Sequence, residues 1–272
     1  MSEPTGVELF IIGNEILIGD ILDTNTNWLC KQINSLGGQV LRATVLRDNC
    51  NVIAAEIHAA LLRGTEVIIT SGGLGPTADD LTLAAVAQGA GLETRLHVQA
   101  CQMVKESYDD MASRGILALG GLNPAREKMA WLPVGASPLH NPVGTAPGVL
   151  LQTGKSTIIS LPGVPSELKG IFSTSLQQFL HVTFHGGFSV AHTITVACND
   201  ESVMEPVLSK VTSDHPDIYI KSLATTLGES PEIDITLSAV GSVQDTLDKL
   251  LSAALHDLKT GLSALGIGHT NK

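Results

Sequence analysis

Aromatic residues are scarce in this 272-residue chain, at 3%, and basic residues are outnumbered: 16 Lys and Arg stand against 27 Asp and Glu, a formal charge of −11. That sign repels a nucleic-acid backbone, and no Lys/Arg-rich block or basic-aromatic interleaving offsets it, so nucleic acid is excluded as a partner. Cysteine is sparse too. Cys30, Cys50, Cys101 and Cys198 show no CxxC spacing, which excludes a disulfide frame or zinc module and leaves reduced packing residues. No apolar run reaches the roughly 18 residues that a bilayer crossing needs. The start, "MSEPTGVELFII", lacks the basic region of a signal peptide. The expectation is a soluble, cytoplasmic protein without a membrane partner.

What the chain does have is a globular composition, 43% hydrophobic, in a length that predicts one large domain and one small one. "VELFII" (Val7 to Ile12) reads as a buried strand, "WLCKQINSLGG" as a helix stopped by Gly37 and Gly38, and "QVLRATV" as a strand again. Ile53, Ile57, Ala60 and Leu61 then repeat at helical spacing until Gly64, and "EVIIT" supplies a third strand. Strands alternating with helices imply crossover connections, a mostly parallel sheet covered on both faces, and ligands at the carboxyl ends of the strands. Residues 92–122 read as helical with little pattern. "KMAWLP", "GVLL" and "STIISLPG" are short apolar runs, followed by a helix from Pro165 into Phe179.

Beyond Phe188 the texture changes. Ile233, Ile235, Leu237 and Ala239 alternate with polar residues, which predicts an antiparallel sheet with one wet face. Val243, Leu247, Leu250, Leu251, Ala254, Leu255 and Leu258 form a helical stripe. The tail, residues 181–272, therefore reads as a small β-α-β-β-α domain beside a nucleotide- or phosphate-binding domain over residues 1–180.

The stretch "TSGGLGPTADDLT" (Thr70 to Thr82) carries two readings. Gly72, Gly73 and Gly75 after a strand let backbone amides approach an anion at a helix start. Alternatively "TADD" is a capping box, with Thr77 as N-cap and Asp80 as the third helical residue. Glu15, Asp20, Asp23 and Asn25 follow the first strand and Asp48 follows the second, so neighbouring strands would bring carboxylates onto one rim. Such a rim holds a Mg²⁺-type ion while a phosphate supplies further oxygens, although each acid alone also suits a turn or a solvated surface. "TGKST" lacks the properly spaced first glycine of a P-loop, and Gly154 and Lys155 read as a hairpin turn. His181 and His185 in "HVTFH" have no HExxH glutamate and read as a junction, and no GxSxG elbow is present. Turn-dense "NPVGTAPG" and "LPGVPSEL" carry Asn141, Thr145, Ser166 and Glu167, with Arg126 and Lys128 upstream as groups suited to phosphate oxygens.

"GNEILIGDILDTNTNWL", "TSGGLGPTADDLT", "REKMAWLP", "NPVGTAPG" and "LPGVPSEL" occur in the order and approximate spacing of the N-terminal domain of the CinA family, which these residues resemble over Val7 to about Leu180. That domain is similar to the molybdopterin-binding fold and to a domain of eukaryotic FAD synthases. The resemblance implies an α/β class: a three-layer α/β/α, mostly parallel sheet of molybdopterin-binding type, followed by a small α+β domain. It implies a nucleotide or pterin ligand and, for the CinA branch, metal-dependent hydrolysis of a nucleoside diphosphate sugar, ADP-ribose to AMP and ribose 5-phosphate. The alternatives are molybdopterin binding or adenylyl transfer in molybdenum-cofactor biosynthesis, or a non-catalytic ligand-binding module. "GPTADD" follows the CinA pattern, and Gly-Leu-Gly replaces the Gly-Thr-Gly usual in the cofactor branch.

Carried onto this sequence, the resemblance gives the diphosphate to Gly72, Gly73, Leu74, Gly75 and Thr77. It makes Asp80, Asp48 and Glu15 catalytic ligands of a divalent ion (Mg, Mn or Co). Asn25, Thr145 and Glu167 would orient the sugar or base, Asn141, Gly163 and Ser166 would bind phosphate or substrate, and Arg126 or Lys128 would contact phosphate. A homo-oligomer is also implied. The C-terminal nicotinamide mononucleotide deamidase domain of the full CinA architecture has no counterpart in these residues.

Overall fold

The computed structural model describes residues 4–184, 187–198, 200–226, 232–241 and 243–272. These divide into two compact units, one over residues 5–33 and 38–183, the other over residues 184–272 with residues 34–37.

The larger unit begins with β1 (Gly6–Ile12), the one-turn α1 (Asn14–Leu17), α2 (Asn25–Ser35), β2 (Gln39–Leu46), α3 (Cys50–Arg63), β3 (Val67–Ser71) and α4 (Thr82–Gly89). It continues with β4 (Thr94–Leu96), α5 (Val98–Ser113), α6 (Pro124–Lys128), β5 (Trp131–Pro133) and β6 (Ser137–Leu139). β7 (Gly148–Thr153), β8 (Ser156–Leu161), α7 (Pro165–Ser173) and α8 (Gln177–Thr183) close it. The main sheet has the order β2-β1-β3-β8-β7-β6, with β2, β1, β3 and β8 parallel and the β7 and β6 pairings antiparallel. β4 and β5 form a separate antiparallel pair.

All seven residues of β1 are buried, as a strand covered on both faces requires. Phe10 and Ile12 pack with Ile53, Ile57 and Val86 of α3 and α4, while Leu9 and Ile11 on the opposite face are just as buried. Across that second layer α2 meets α7, with the Trp28 and Phe172 rings edge to face at 5.1 Å. α3 owes its bounds to Asn49, whose side chain accepts from the N–H groups of Asn51 and Val52, and to left-handed Gly64. Thr153 and Ser156 pair across Gly154 and Lys155, so "TGKST" is a two-residue hairpin turn with Gly154 at φ +59°.

Three local expectations change. The capping-box helix does not start at Thr77; α4 begins at Thr82, five residues later. Residues 92–122 hold β4, α5 and an extended loop rather than continuous helix. The helix from Pro165 breaks at Thr174 (φ −124°, ψ −79°) into α7 and α8.

At the amino end of the sheet Glu8, 2% exposed, is fully engaged. Arg63 donates to it twice (Nε–Oε1 2.9 Å, Nη2–Oε2 2.7 Å), Thr65 donates its hydroxyl at 2.6 Å, and Arg42 stands 3.8 Å away. Burial pushes the Glu8 pKa up, but the Arg63 and Thr65 hydrogen bonds with the two arginine charges outweigh it, and the carboxyl lies below its usual range.

The smaller unit comprises β9 (Phe188–Ala197), α9 (Glu201–Asp214), β10 (Tyr219–Thr226), β11 (Glu232–Gly241), α10 (Gln244–Ala264) and β12 (His269–Asn271). Its antiparallel sheet has the order β10-β11-β9-β12. Ile233, Ile235, Leu237 and Ala239 pack against Leu247, Leu251, Ala254, Leu258 and Leu262. Val243 stays outside that stripe and exposed, because it precedes the helix. Three-residue β12 was too short to read from sequence. Among the described residues, no helix is long and apolar enough to cross a membrane.

Candidate functional site

The glycine segment leaves β3 at the carboxyl end of the parallel strands. Gly72 has φ +108°, and a Cβ there would lie 2.1 Å from the Ile12 carbonyl; Gly73 has φ +67°, and a Cβ would meet Thr82 Oγ1 at 2.3 Å. Backbone conformation and close approach both require glycine at these two positions. The Gly72 N–H donates to Leu161 O at 3.0 Å. Thr82 closes the loop from the far side, its hydroxyl donating to Gly72 O at 2.7 Å and its N–H to Gly73 O at 3.2 Å. Among the described residues, none accepts a hydrogen bond from the N–H groups of Gly73, Leu74 or Gly75. The loop thus offers three consecutive amides beside a helix start, the arrangement that binds anions.

Asp80 turns back rather than forward along the chain. Its Oδ2 accepts the Thr77 N–H at 2.9 Å and the Thr77 hydroxyl at 2.6 Å, and the Asp80 N–H donates to Thr77 O at 3.2 Å. This turn uses half of the capping-box chemistry without starting a helix. The same hydroxyl lies 2.5 Å from Asp79 Oδ1, a hydrogen bond that holds the Asp79 carboxyl below its usual range. Lys128 Nζ donates to Thr77 O, so it braces the turn from outside.

These elements surround a cleft of about 570 Å³. Among the residues expected at the site, it is lined by Glu15, Asn25, Asp48, Gly72, Gly73, Leu74, Gly75, Asp80, Thr145, Gly163 and Glu167. Ile16, Ile21 and Leu22 form an apolar wall that sequence reasoning missed, although an apolar run so close to a first-strand carboxyl end was a usable signal. The lining contains six carboxylates and no Lys, Arg or His. Asp48 Oδ2 accepts the Asn14 N–H at 2.8 Å and so anchors the start of α1. Among the described residues, no group of three or more His, Cys, Asp or Glu side chains is arranged to hold a metal ion. Glu15, Asp48 and Asp80 therefore share the cleft without forming the three-ligand centre expected of them. Their hard oxygens still suit an ion that brings most of its coordination from phosphate and water.

Glu167, in the first turn of α7, also lines the cleft and is held by the buried Asn141. Asn141 donates Nδ2 to Glu167 Oε2 at 2.6 Å and to Ala146 O at 2.9 Å, while its Oδ1 accepts from Val143 N (3.0 Å) and Gly144 N (2.9 Å). Burial raises the Glu167 pKa, and the Asn141 hydrogen bond only partly offsets it. Asn25 donates to Ser71 Oγ at 3.0 Å and Gly163 O at 2.8 Å.

Five expected residues do not line the cleft. Thr77, Lys128 and Asn141 act behind it, on Asp80, Thr77 and Glu167 as described. Arg126 is occupied elsewhere: its guanidinium donates to the carbonyls of Leu119, Gly120 and Gly121 and stacks on Tyr108 at 3.9 Å. Ser166 is exposed on α7. His181 lies in α8, and His185 falls outside the described residues.

An amide loop at the carboxyl ends of a parallel sheet, opening on an acidic cleft, defines a small-ligand-binding α/β protein. Residues 8–182 match the family described as "Probable molybdopterin binding domain", and the chain belongs to that family, in its CinA-like form. A protein of Aeropyrum pernix is 37% identical over 268 residues, covering 98% of this chain and 97% of its own. One from Thermoplasma acidophilum is 30% identical over 262 residues, 96% of each. The crystal structure of the CinA protein of Thermoplasma acidophilum superposes with a TM-score of 0.58 at 34% identity, over 64% of this chain and 98% of its own.

Proposed function

We propose that the cleft binds a phosphorylated pterin or nucleotide and that the protein acts as a molybdopterin-binding or adenylyl-transfer protein. The supporting observation is the run of three unpaired amides at Gly73, Leu74 and Gly75, in a chain of this family. Adenylyl transfer joins a pterin phosphate oxygen to the α-phosphorus of ATP and expels pyrophosphate. The loop amides would face the charge that grows on the phosphoryl oxygens, fixed in place before the reaction. With no basic side chain in the lining of the cleft among the described residues, a divalent ion carried by the ATP would supply the remaining positive charge near Glu15, Asp48 and Asp80. Thr77 holds Asp80 toward the loop, and Asn141 holds Glu167.

A second reading, ADP-ribose hydrolysis to AMP and ribose 5-phosphate, draws support from the same carboxylates as groups that orient water; the family relationship favours the first. A homo-oligomer, which sedimentation measures, belongs to the proposal through the CinA resemblance. Purified protein is incubated with ATP plus molybdopterin, and separately with ADP-ribose, NAD, FAD or ATP, each with and without Mg²⁺, Mn²⁺ or Co²⁺. Pyrophosphate with an adenylylated pterin supports transfer, AMP with ribose 5-phosphate supports hydrolysis, and binding without turnover supports a ligand-binding module. Absence of binding by any of these phosphates overturns the proposal.

A further inference from the structure

The cleft supplies hydrogen-bond acceptors on its side chains and donors mainly on its backbone, so a ligand that fills it must carry donors away from its phosphates. Two acceptors in the lining are held by neighbours that leave an oxygen without a donor. Asn25 is 6% exposed and its Nδ2 is committed to Ser71 and Gly163; turning the amide over would set oxygen against the Gly163 carbonyl, and Oδ1 has no partner. Glu167 has one polar side chain donating to it among the described residues, Asn141, on Oε2. Gly144 packs directly against its carboxyl, where an added Cβ would clash with Cδ and both oxygens, so the group has little room to move on that side. Among the described residues no cation pairs with it: the basic neighbour on its own helix, Lys169, faces Trp28 at 5.8 Å.

A planar carboxylate with no basic partner is matched by two adjacent N–H groups on a ring edge, the two-point pairing that acidic side chains and guanidinium groups make. We propose that Glu167 reads the ring of the ligand by accepting the amino and ring N–H groups of a 2-amino-4-oxopyrimidine edge, which pterin and guanine share, and that Asn141 is its positioning residue. Adenine presents an amino group beside a ring acceptor, which faces the carboxylate oxygen repulsively, and hypoxanthine keeps the ring N–H but lacks the amino group. The inference rests on the phosphate reading of the glycine loop only in placing ring and phosphates in one cleft.

Calorimetric titration in Mg²⁺ tests it with inorganic pyrophosphate, GDP, IDP and 6-hydroxymethylpterin diphosphate. The intact protein should bind GDP or the pterin diphosphate about tenfold more tightly than IDP. The tighter of the first two identifies guanine or pterin as the source of the edge. Glu167→Gln, which keeps an acceptor for Asn141, should bring GDP and IDP together while pyrophosphate still binds. As pH falls through the raised pKa of Glu167, the GDP preference should fade, and Asn141→Ala should move that loss to higher pH because it removes the donor that stabilises the charge. The titrating groups on other elements around the cleft, Glu15, Asp23, Asp48, Asp79 and Asp80, are common to all arms. Equal affinity for GDP and IDP, or a preference that survives Glu167→Gln, overturns the ring assignment while pyrophosphate binding preserves the phosphate reading. If neither pyrophosphate nor any diphosphate binds, both fall.

Discussion

At its amino end the parallel sheet gives Glu8 two arginines and a threonine hydroxyl; at its carboxyl end it gathers Glu15, Asp48, Asp80 and Glu167 around a cleft with no basic lining residue. The same kind of group is satisfied internally at one end and left facing outward at the other. Burial acts on Glu8 and Glu167 in the same direction, yet the net shifts are opposite, because only Glu8 has cations to reverse the desolvation. Charge that the protein answers itself holds the fold, and charge it leaves unanswered is available to a ligand.

The largest effect that tests this contrast is Arg63→Ala, which leaves the buried Glu8 carboxylate with Thr65 and the more distant Arg42 and should cost about 3 kcal/mol in denaturant unfolding, with pyrophosphate affinity of the folded fraction unchanged. Because the Glu8 pKa is lowered on folding, the unfolded chain binds more protons, so the pair's contribution is present above the ordinary carboxylate range and lost as pH falls through the folded pKa. The variant should lack that acid-side loss; a melt that follows the parent at every pH would break the comparison.

Gly72→Ala comes next. It forces a side chain into φ +108° and against the Ile12 carbonyl, and should destabilise by about 2–3 kcal/mol while abolishing pyrophosphate binding. Retained binding would remove the loop from the site.

Asp80→Asn should cost about 1 kcal/mol or less, since the amide oxygen still accepts from Thr77, yet weaken Mg²⁺-dependent nucleotide binding at least tenfold. An early melt with unchanged affinity would reduce Asp80 to a turn residue. The smallest effect is Glu167→Gln on stability. A raised carboxyl pKa means that stability is lost as pH rises from the usual carboxylate range through the folded value. The variant should therefore gain a little in Tm at pH 7 and nothing at pH 4, and no difference between the two pH values would contradict the desolvated state of Glu167.

The alternation of strands and helices was legible because periodicity and glycine stops are local, and the rim carboxylates because parallel topology carries strand ends to one side. Thr77 misled because a threonine three residues before an aspartate can close a turn as readily as begin a helix. Arg126 looked like a phosphate ligand since its true partners are three backbone carbonyls, which carry no sequence signature. Whether Glu15, Asp48 and Asp80 assemble around an ion depends on distances that no spacing encodes.

Thr82 ties the first turn of α4 to both Gly72 and Gly73 through its hydroxyl and its amide. Those two bonds brace the glycine loop from the helix side, so on the phosphate reading little affinity is lost to ordering its three donors. Thr82→Val, which removes one of the two bonds and no loop amide, should therefore weaken pyrophosphate binding in a calorimetric titration. A buried side chain outside the cleft lining would then share in how tightly the ligand is held.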